Sequence, residues 1–145
     1  MEQRCLLVPL GPSTFGVPLQ QLLGVEPVTR IVPLPHVPSW VLGVTHRQGQ
    51  VLSVVDLTAL LGLPAGPAPA AGGRLLIAAD GDLTVAFAVP EVSEVRSIDP
   101  DRVEPPTGGD AVSRFLTGIV SEGEQALGLL DLMQVLRSPE LRATT

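Results

Sequence analysis

The sequence predicts an all-β fold made of a duplicated unit, each copy a set of short strands followed by a short helix. Turn formers are too frequent for long helices, since Pro and Gly occur 15 times each and cut the chain into short runs. Those runs are apolar almost without alternation, the pattern of strands buried on both faces. The same order of runs then occurs twice. Closed or nearly closed small barrels bury such strands and remove their edges.

Taken in order, residues 6–10 and 15–18 flank Gly11-Pro12-Ser13 as the arms of a hairpin. Residues 44–47 and 51–55 flank Gln48-Gly49 as a second. Residues 75–79 and 83–89 flank Asp80-Gly81-Asp82 as a third, where Asp-Gly favours a tight turn. Asp56 is placed to cap a helix over residues 57–61, with Gly62 at its C′ position and Pro64 beyond. Asp131 is placed to cap another, with Gln134 to complete a capping box and Pro139 to close the segment.

The duplication reads across these elements. Arg4-Cys5-Leu6-Leu7-Val8 is answered by Arg74-Leu75-Leu76-Ile77-Ala78, and Phe15-Gly16-Val17-Pro18 by Phe87-Ala88-Val89-Pro90. Trp40-Val41-Leu42-Gly43-Val44 is answered by Phe115-Leu116-Thr117-Gly118-Ile119, and Val54-Val55-Asp56-Leu57 by Leu129-Leu130-Asp131-Leu132. Gly43 precedes Asp56 by the spacing at which Gly118 precedes Asp131. We therefore expect a single domain over 1–145 with halves at 4–63 and 74–138. The Pro/Gly/Ala-rich segment 64–73 is an exposed, flexible link between them, and residues 105–110 form a second loop.

Bulk properties narrow the function. With 45% hydrophobic and 17% charged residues the chain should fold. A net charge of −6 and a pI of about 4.7 oppose binding to phosphate backbones. Aromatic residues are 3%, with no Tyr, which leaves few platforms for bases. Anionic membrane surfaces would repel the chain overall. Cys5 is the one cysteine, so no internal disulfide forms, as suits a reducing compartment. The apolar run after Arg4 is broken by Pro9, too short for a signal peptide or a membrane span. A soluble, cytoplasmic chain is expected.

No catalytic constellation assembles. Cys5 lies in an apolar strand run, His36 in the Pro-rich turn Pro35-His36-Val37-Pro38, and His46 near a hairpin tip where it should be exposed. No His/Cys/Asp/Glu cluster has metal-ligand spacing. Neither Gly72-Gly73 nor Gly108-Gly109 follows a strand and opens a helix, as a phosphate loop requires. Asp56 and Asp131 look like a pair of catalytic carboxylates, but capping accounts for both. No metal, no cofactor and no turnover are expected.

One run carries a family resemblance. Val41-Leu42-Gly43-Val44-Thr45-His46-Arg47-Gln48-Gly49-Gln50-Val51-Leu52-Ser53-Val54-Val55-Asp56-Leu57 resembles the signature hairpin of CheW-like domains, which reads G-V-x-N-x-R-G-x-V-x-P-V-V-D-L. Residues 32–40 resemble the family's Pro-rich approach to it, and residues 74–136 match in element order, so the likeness spans 4–138. The resemblance implies two small SH3-like barrels around a shared apolar interface. It also implies a non-enzymatic adaptor that joins the helical-hairpin tip of a chemoreceptor to the regulatory domain of a CheA-type histidine kinase. No kinase or receiver segment accompanies the domain, which favours a stand-alone adaptor.

The same resemblance marks Leu22, Gly24, Val25, Val44, Arg47, Gln48 and Gly49 as candidates for receptor or kinase contact. Leu22 and Val25 are expected to border the receptor groove. At two positions the sequence departs from the family: Gly24 replaces an acid, and Gln48 replaces an arginine, with Arg47 one place earlier. A one-residue shift in a strand turns a side chain to the other face. An acid–arginine pair is therefore expected to be missing both members, leaving apolar contacts that depend weakly on salt. Pro90 stands where the family often has Asp, which removes a charge and a backbone donor. Two other readings stay open: an accessory form that binds receptors without coupling the kinase, and a small-ligand-binding or enzymatic barrel.

Overall fold

In the computed structural model, which describes residues 2–64, 66, 68–69, 72–107 and 109–144, turn chemistry sets the strand pairs. β1 (Gln3–Leu10) and β2 (Ser13–Pro18) pair antiparallel across Gly11, whose φ is 65°. After β3 (Gly24–Pro27), β4 (Val41–Arg47) and β5 (Gln50–Asp56) pair across Gln48 and Gly49. β6 (Arg74–Asp80) and β7 (Leu83–Val89) pair across Gly81, and β9 (Leu116–Glu122) and β10 (Gln125–Leu130) pair after β8 (Val95–Ile98). All three expected hairpins form. The short strands β3 and β8 were not legible as strands in the sequence.

The strands make two five-stranded sheets, ordered β8-β1-β2-β10-β9 and β3-β6-β7-β5-β4. Each sheet therefore draws strands from both halves of the chain. Two parallel contacts make the exchange: β2 with β10, and β5 with β7. Each sheet also bends round until the chain leaving one edge strand meets the other edge. Val32, beyond β3, bridges Val44 on β4, and Glu104, beyond β8, bridges Ile119 on β9. The barrels are nearly closed, as expected.

Three apolar clusters explain the continuous apolar runs. On β1, Cys5 and Leu7 point into one barrel with Ile98, Val120, Leu127 and Leu129. Leu6, Val8 and Leu10, on the opposite face, join the central core between the barrels, with Phe15, Leu76, Phe87 and Leu130. The second barrel is filled by Leu52, Val54, Leu75, Ile77, Ala86 and Ala88. Alternate residues thus reach different cores, and both faces of the central strands are dry.

The helices are short and capped. Asp56 accepts from the Ala59 amide at the start of α1 (Leu57–Leu60), and Gly62 follows with a φ of 75°. Asp131 accepts from the Met133 amide at the start of α2 (Leu132–Leu136). The expected capping box with Gln134 does not form, because the Asp131 amide donates to the Phe115 carbonyl. Gln21, from the turn after β2, instead donates to Asp131 Oδ1 and accepts from the Leu132 amide. Pro139 does not end the helical segment but opens α3 (Pro139–Thr144), where the Ser138 hydroxyl accepts from the Leu141 amide. Arg137 and Arg142 both reach Asp80 on the β6–β7 turn, and the Arg137 hydrogen bond leads in holding the Asp80 carboxyl below its ordinary range.

The expected link at 64–73 is only partly visible, since Ala65, Pro67, Ala70 and Ala71 lie outside the described residues. Of the others, Pro69 and Gly73 are buried and Pro64, Gly66, Ala68 and Gly72 are exposed. In the second loop Gly108 lies outside the described residues.

Candidate functional site

The mouth of the second barrel holds the charged candidates. β3 alternates, with Gly24 and Glu26 turned inward and Val25 and Pro27 outward. On β4 the inward residues are Gly43, Thr45 and Arg47. Because β3 and β4 are the two edges of one curved sheet, their inward side chains meet across the seam. Arg47 Nε donates to Glu26 Oε2, with the two side chains 19% and 35% exposed. Nearby, the Thr45 hydroxyl donates to the Arg30 carbonyl at 2.8 Å. A depression of about 310 Å³ opens there, lined by Glu26, Thr29, Thr45, His46, Arg47 and Gln48.

This corrects the expectation of a missing acid–arginine pair. The pair is present, as Glu26 with Arg47. The acid lies two residues beyond Gly24, which keeps it on the same strand face. Gln48 has left the strand for the turn, so the alternation rule did not apply to it. Gly24 itself makes room: a Cβ there would lie 3.1 Å from Arg47 Nη2 and 3.2 Å from Glu26 Oε2. Weak salt dependence can no longer be argued from absent charges.

The outward face of β3 is apolar. Leu23 is 61% and Val25 41% exposed, and Val25 lies opposite Leu76 of the central core. Leu22 is half-buried against that core. Together they make an apolar strip beside the central core. Val44 belongs elsewhere, on the outer face of β4 opposite Ser53. Gln48 and Gly49 form the exposed hairpin tip. The structure thus brings Gly24, Arg47 and Gln48 together at the mouth, sets Leu22 and Val25 on the other face, and leaves Val44 and Gly49 apart. Sequence reasoning missed Glu26 and Leu23, although the alternation of Leu23-Gly24-Val25-Glu26 was a usable signal once a strand was assumed.

The tip itself carries strain. Gln48 has φ 50° and Gly49 φ 78°, the pair of positive values that a two-residue type I′ turn requires and that Asn-Gly fits better than Gln-Gly. We expect Gln48→Asn to raise stability by about 0.5–1 kcal/mol. Urea unfolding of the two proteins checks this, and an unchanged midpoint would show the turn to be unstrained.

The chemistry-bearing residues remain dispersed. Among the described residues, no group of three His, Cys, Asp or Glu could hold a metal ion. Cys5 is buried in the first barrel, where burial pushes its thiol up, away from the reactive thiolate. His36 and His46 are both exposed. Asp56 is 6% exposed, and burial raises its carboxyl, but its oxygen is committed to the helix start.

An apolar strip beside a charged mouth, on a body of two packed sheets, is a surface suited to binding another protein. The comparisons agree. The family described as CheW-like domain matches residues 4–140, and the chain belongs to that family. It is similar to protein FrzA of Myxococcus xanthus, 32% identical over 148 positions that cover 98% of this chain and 90% of the relative. It is also similar to chemotaxis protein CheW of Rhizobium meliloti (strain 1021), 27% identical over 136 positions, covering 92% and 87%. Scaffolding protein TtCheW from Thermoanaerobacter tengcongensis shares the fold, with a TM-score of 0.84 at 20% identity over 97% of this chain and 91% of that one. The family is non-enzymatic, and the chain is a CheW-like scaffold of a chemosensory pathway. Among the described residues no helix is long and apolar enough to cross a membrane.

Proposed function

We propose that this chain is an adaptor in the cytoplasm that couples chemoreceptor tips to a CheA-type histidine kinase and is recruited to receptor arrays. The observation that carries this reading is the strip made by exposed Leu23 and Val25 beside half-buried Leu22. A receptor tip is an amphipathic helical surface, and such a strip accepts it as a helix in a groove. The kinase regulatory domain takes the barrel end, where Arg47, Gln48 and Gly49 are presented. Modest contacts suffice, because an array engages several at once. The Glu26–Arg47 ion pair at the barrel mouth favours this reading over an accessory form that binds receptors without coupling the kinase.

The test is Val25→Asp, assayed against a receptor hairpin fragment and a kinase regulatory domain. Val25 is 41% exposed, so the aspartate stays hydrated and the fold survives. Receptor binding should weaken by about 2 kcal/mol or more, as for a central apolar contact, with kinase binding unchanged. A folded variant with undiminished receptor binding would place the groove elsewhere.

A further inference from the structure

The two sheets share the central core, and α3 is tied to both of them at one end of it. Arg142, on α3, reaches Asp80 at the β6–β7 turn of the second barrel at 3.1 Å. Glu140 pairs with Arg114, in the turn Ala111–Phe115 that leads into β9 of the first barrel. Between these two ties Leu141 is 0% exposed and joins Phe115, Leu132 and Leu136 in the central core.

What secures α3 is slight beside what secures its neighbour. α2 buries Leu132, Val135 and Leu136, and its start is fixed by Asp131 and Gln21. α3 has six residues, too few to hold a helix in water unaided, and of its described side chains Leu141 alone is buried. Pro139 has no N–H, so no helical hydrogen bond runs from it back into α2. The chain can therefore turn at Ser138–Pro139 with α2 intact. Nor does such a turn strand a charge. Asp80 keeps Arg137, whose Nε lies 2.9 Å from its Oδ2, and Arg114 keeps its place over the Phe115 ring, 4.4 Å from the centroid. Arg142 and Glu140 already border solvent.

We propose that α3 is a releasable strap, which swings out about Ser138–Pro139 while both barrels stay folded and uncovers the part of the central core that Leu141 fills. Openings of this kind, smaller than global unfolding, fall on elements with few buried apolar groups. The two ion pairs of the strap lie at the surface, where dissolved salt screens them, so ionic strength sets how often it opens. The inference goes beyond the adaptor function and does not depend on it.

Hydrogen exchange of the full chain in its native state, followed amide by amide by NMR, tests this. The Arg142 amide, which donates to the Ser138 carbonyl at 3.0 Å, reports on α3. The Asp131 amide, which donates to the Phe115 carbonyl at 2.8 Å, reports on the adjoining core. Arg142 should be at least about a hundredfold less protected than Asp131. Low concentrations of urea should speed exchange at Asp131 and leave Arg142 nearly unaffected, because a local opening exposes little surface. Raising salt from about 20 to about 500 mM should speed exchange at Arg142 about threefold to tenfold. The double variant Glu140→Gln with Arg142→Gln, changed only at the surface, should exchange faster at position 142 in low salt and no longer respond to salt. Equal protection and equal urea dependence at Arg142 and Asp131 would show that α3 leaves only when the whole fold does. A salt response that persists in the double variant would show that these ion pairs do not govern it. Either result would overturn the proposal.

Discussion

Gly43→Ala is expected to destabilise the protein by roughly 3–5 kcal/mol, a large part of the stability of a domain this size. Gly43 has a φ of 143°, and a Cβ there would lie 2.1 Å from the Val32 carbonyl oxygen and 2.9 Å from Pro33 Cα. It sits at the register shift where β4 meets the chain that closes the barrel. On either side of the closure, Val32 and Val44 exchange backbone hydrogen bonds of 2.8 and 2.9 Å. A methyl group must push these apart, adding their loss, about 1 kcal/mol each, to backbone strain of about 1–3 kcal/mol. Gly62→Ala is the control. Its φ is 75°, and none of the described residues lies within 4 Å of the Cβ position, so only the conformational cost of about 1–2 kcal/mol applies. Equal losses in the two variants, measured by urea unfolding, would mean that Val32 does not press on Gly43.

Gln21→Ala should cost about 2 kcal/mol, since it breaks two hydrogen bonds and leaves the Leu132 amide without its partner. Gln21→Glu is the sharper probe. It keeps an acceptor for the Leu132 amide but loses the donor to Asp131 and sets one carboxylate against another. Protonation of the new carboxyl restores the donor, so the loss should be small in acid and grow as pH rises through the carboxylate range. Thermal unfolding at several pH values reads this directly. A Gln21→Glu loss independent of pH would show that Gln21 acts through packing alone.

Local chemistry made much of this fold legible. Gly11, Gly49 and Gly81 announced three hairpins, and Asp56 and Asp131 announced two helix starts, because each of those residue types answers to its immediate backbone. What stayed hidden depends on residues far apart in sequence. Nothing in Gln21 shows that it will cap a helix 111 positions away. Nothing in two similar halves says that each will lend strands to the other's sheet. β3 and β8 have four residues each, too few to display a period. For the candidate site, Arg47 was visible and its partner was not, because Glu26 reaches it only after the sheet has curved.

The parallel contact of β2 with β10 joins residues 14–16 to residues 127–129, and it bears on how the molecule comes into being. During synthesis the β1–β2 hairpin emerges before the rest of its sheet, which stays incomplete until residues 116–130 have left the ribosome. Until then Leu6, Val8 and Phe15, destined for the central core, face solvent. Pairings of such long sequence separation form slowly, and the exposed strands meanwhile are open to association with other nascent chains. The second barrel takes all its strands from residues 24–89 and can close earlier, so completion of the first barrel, whose strands flank it in sequence, is the late step.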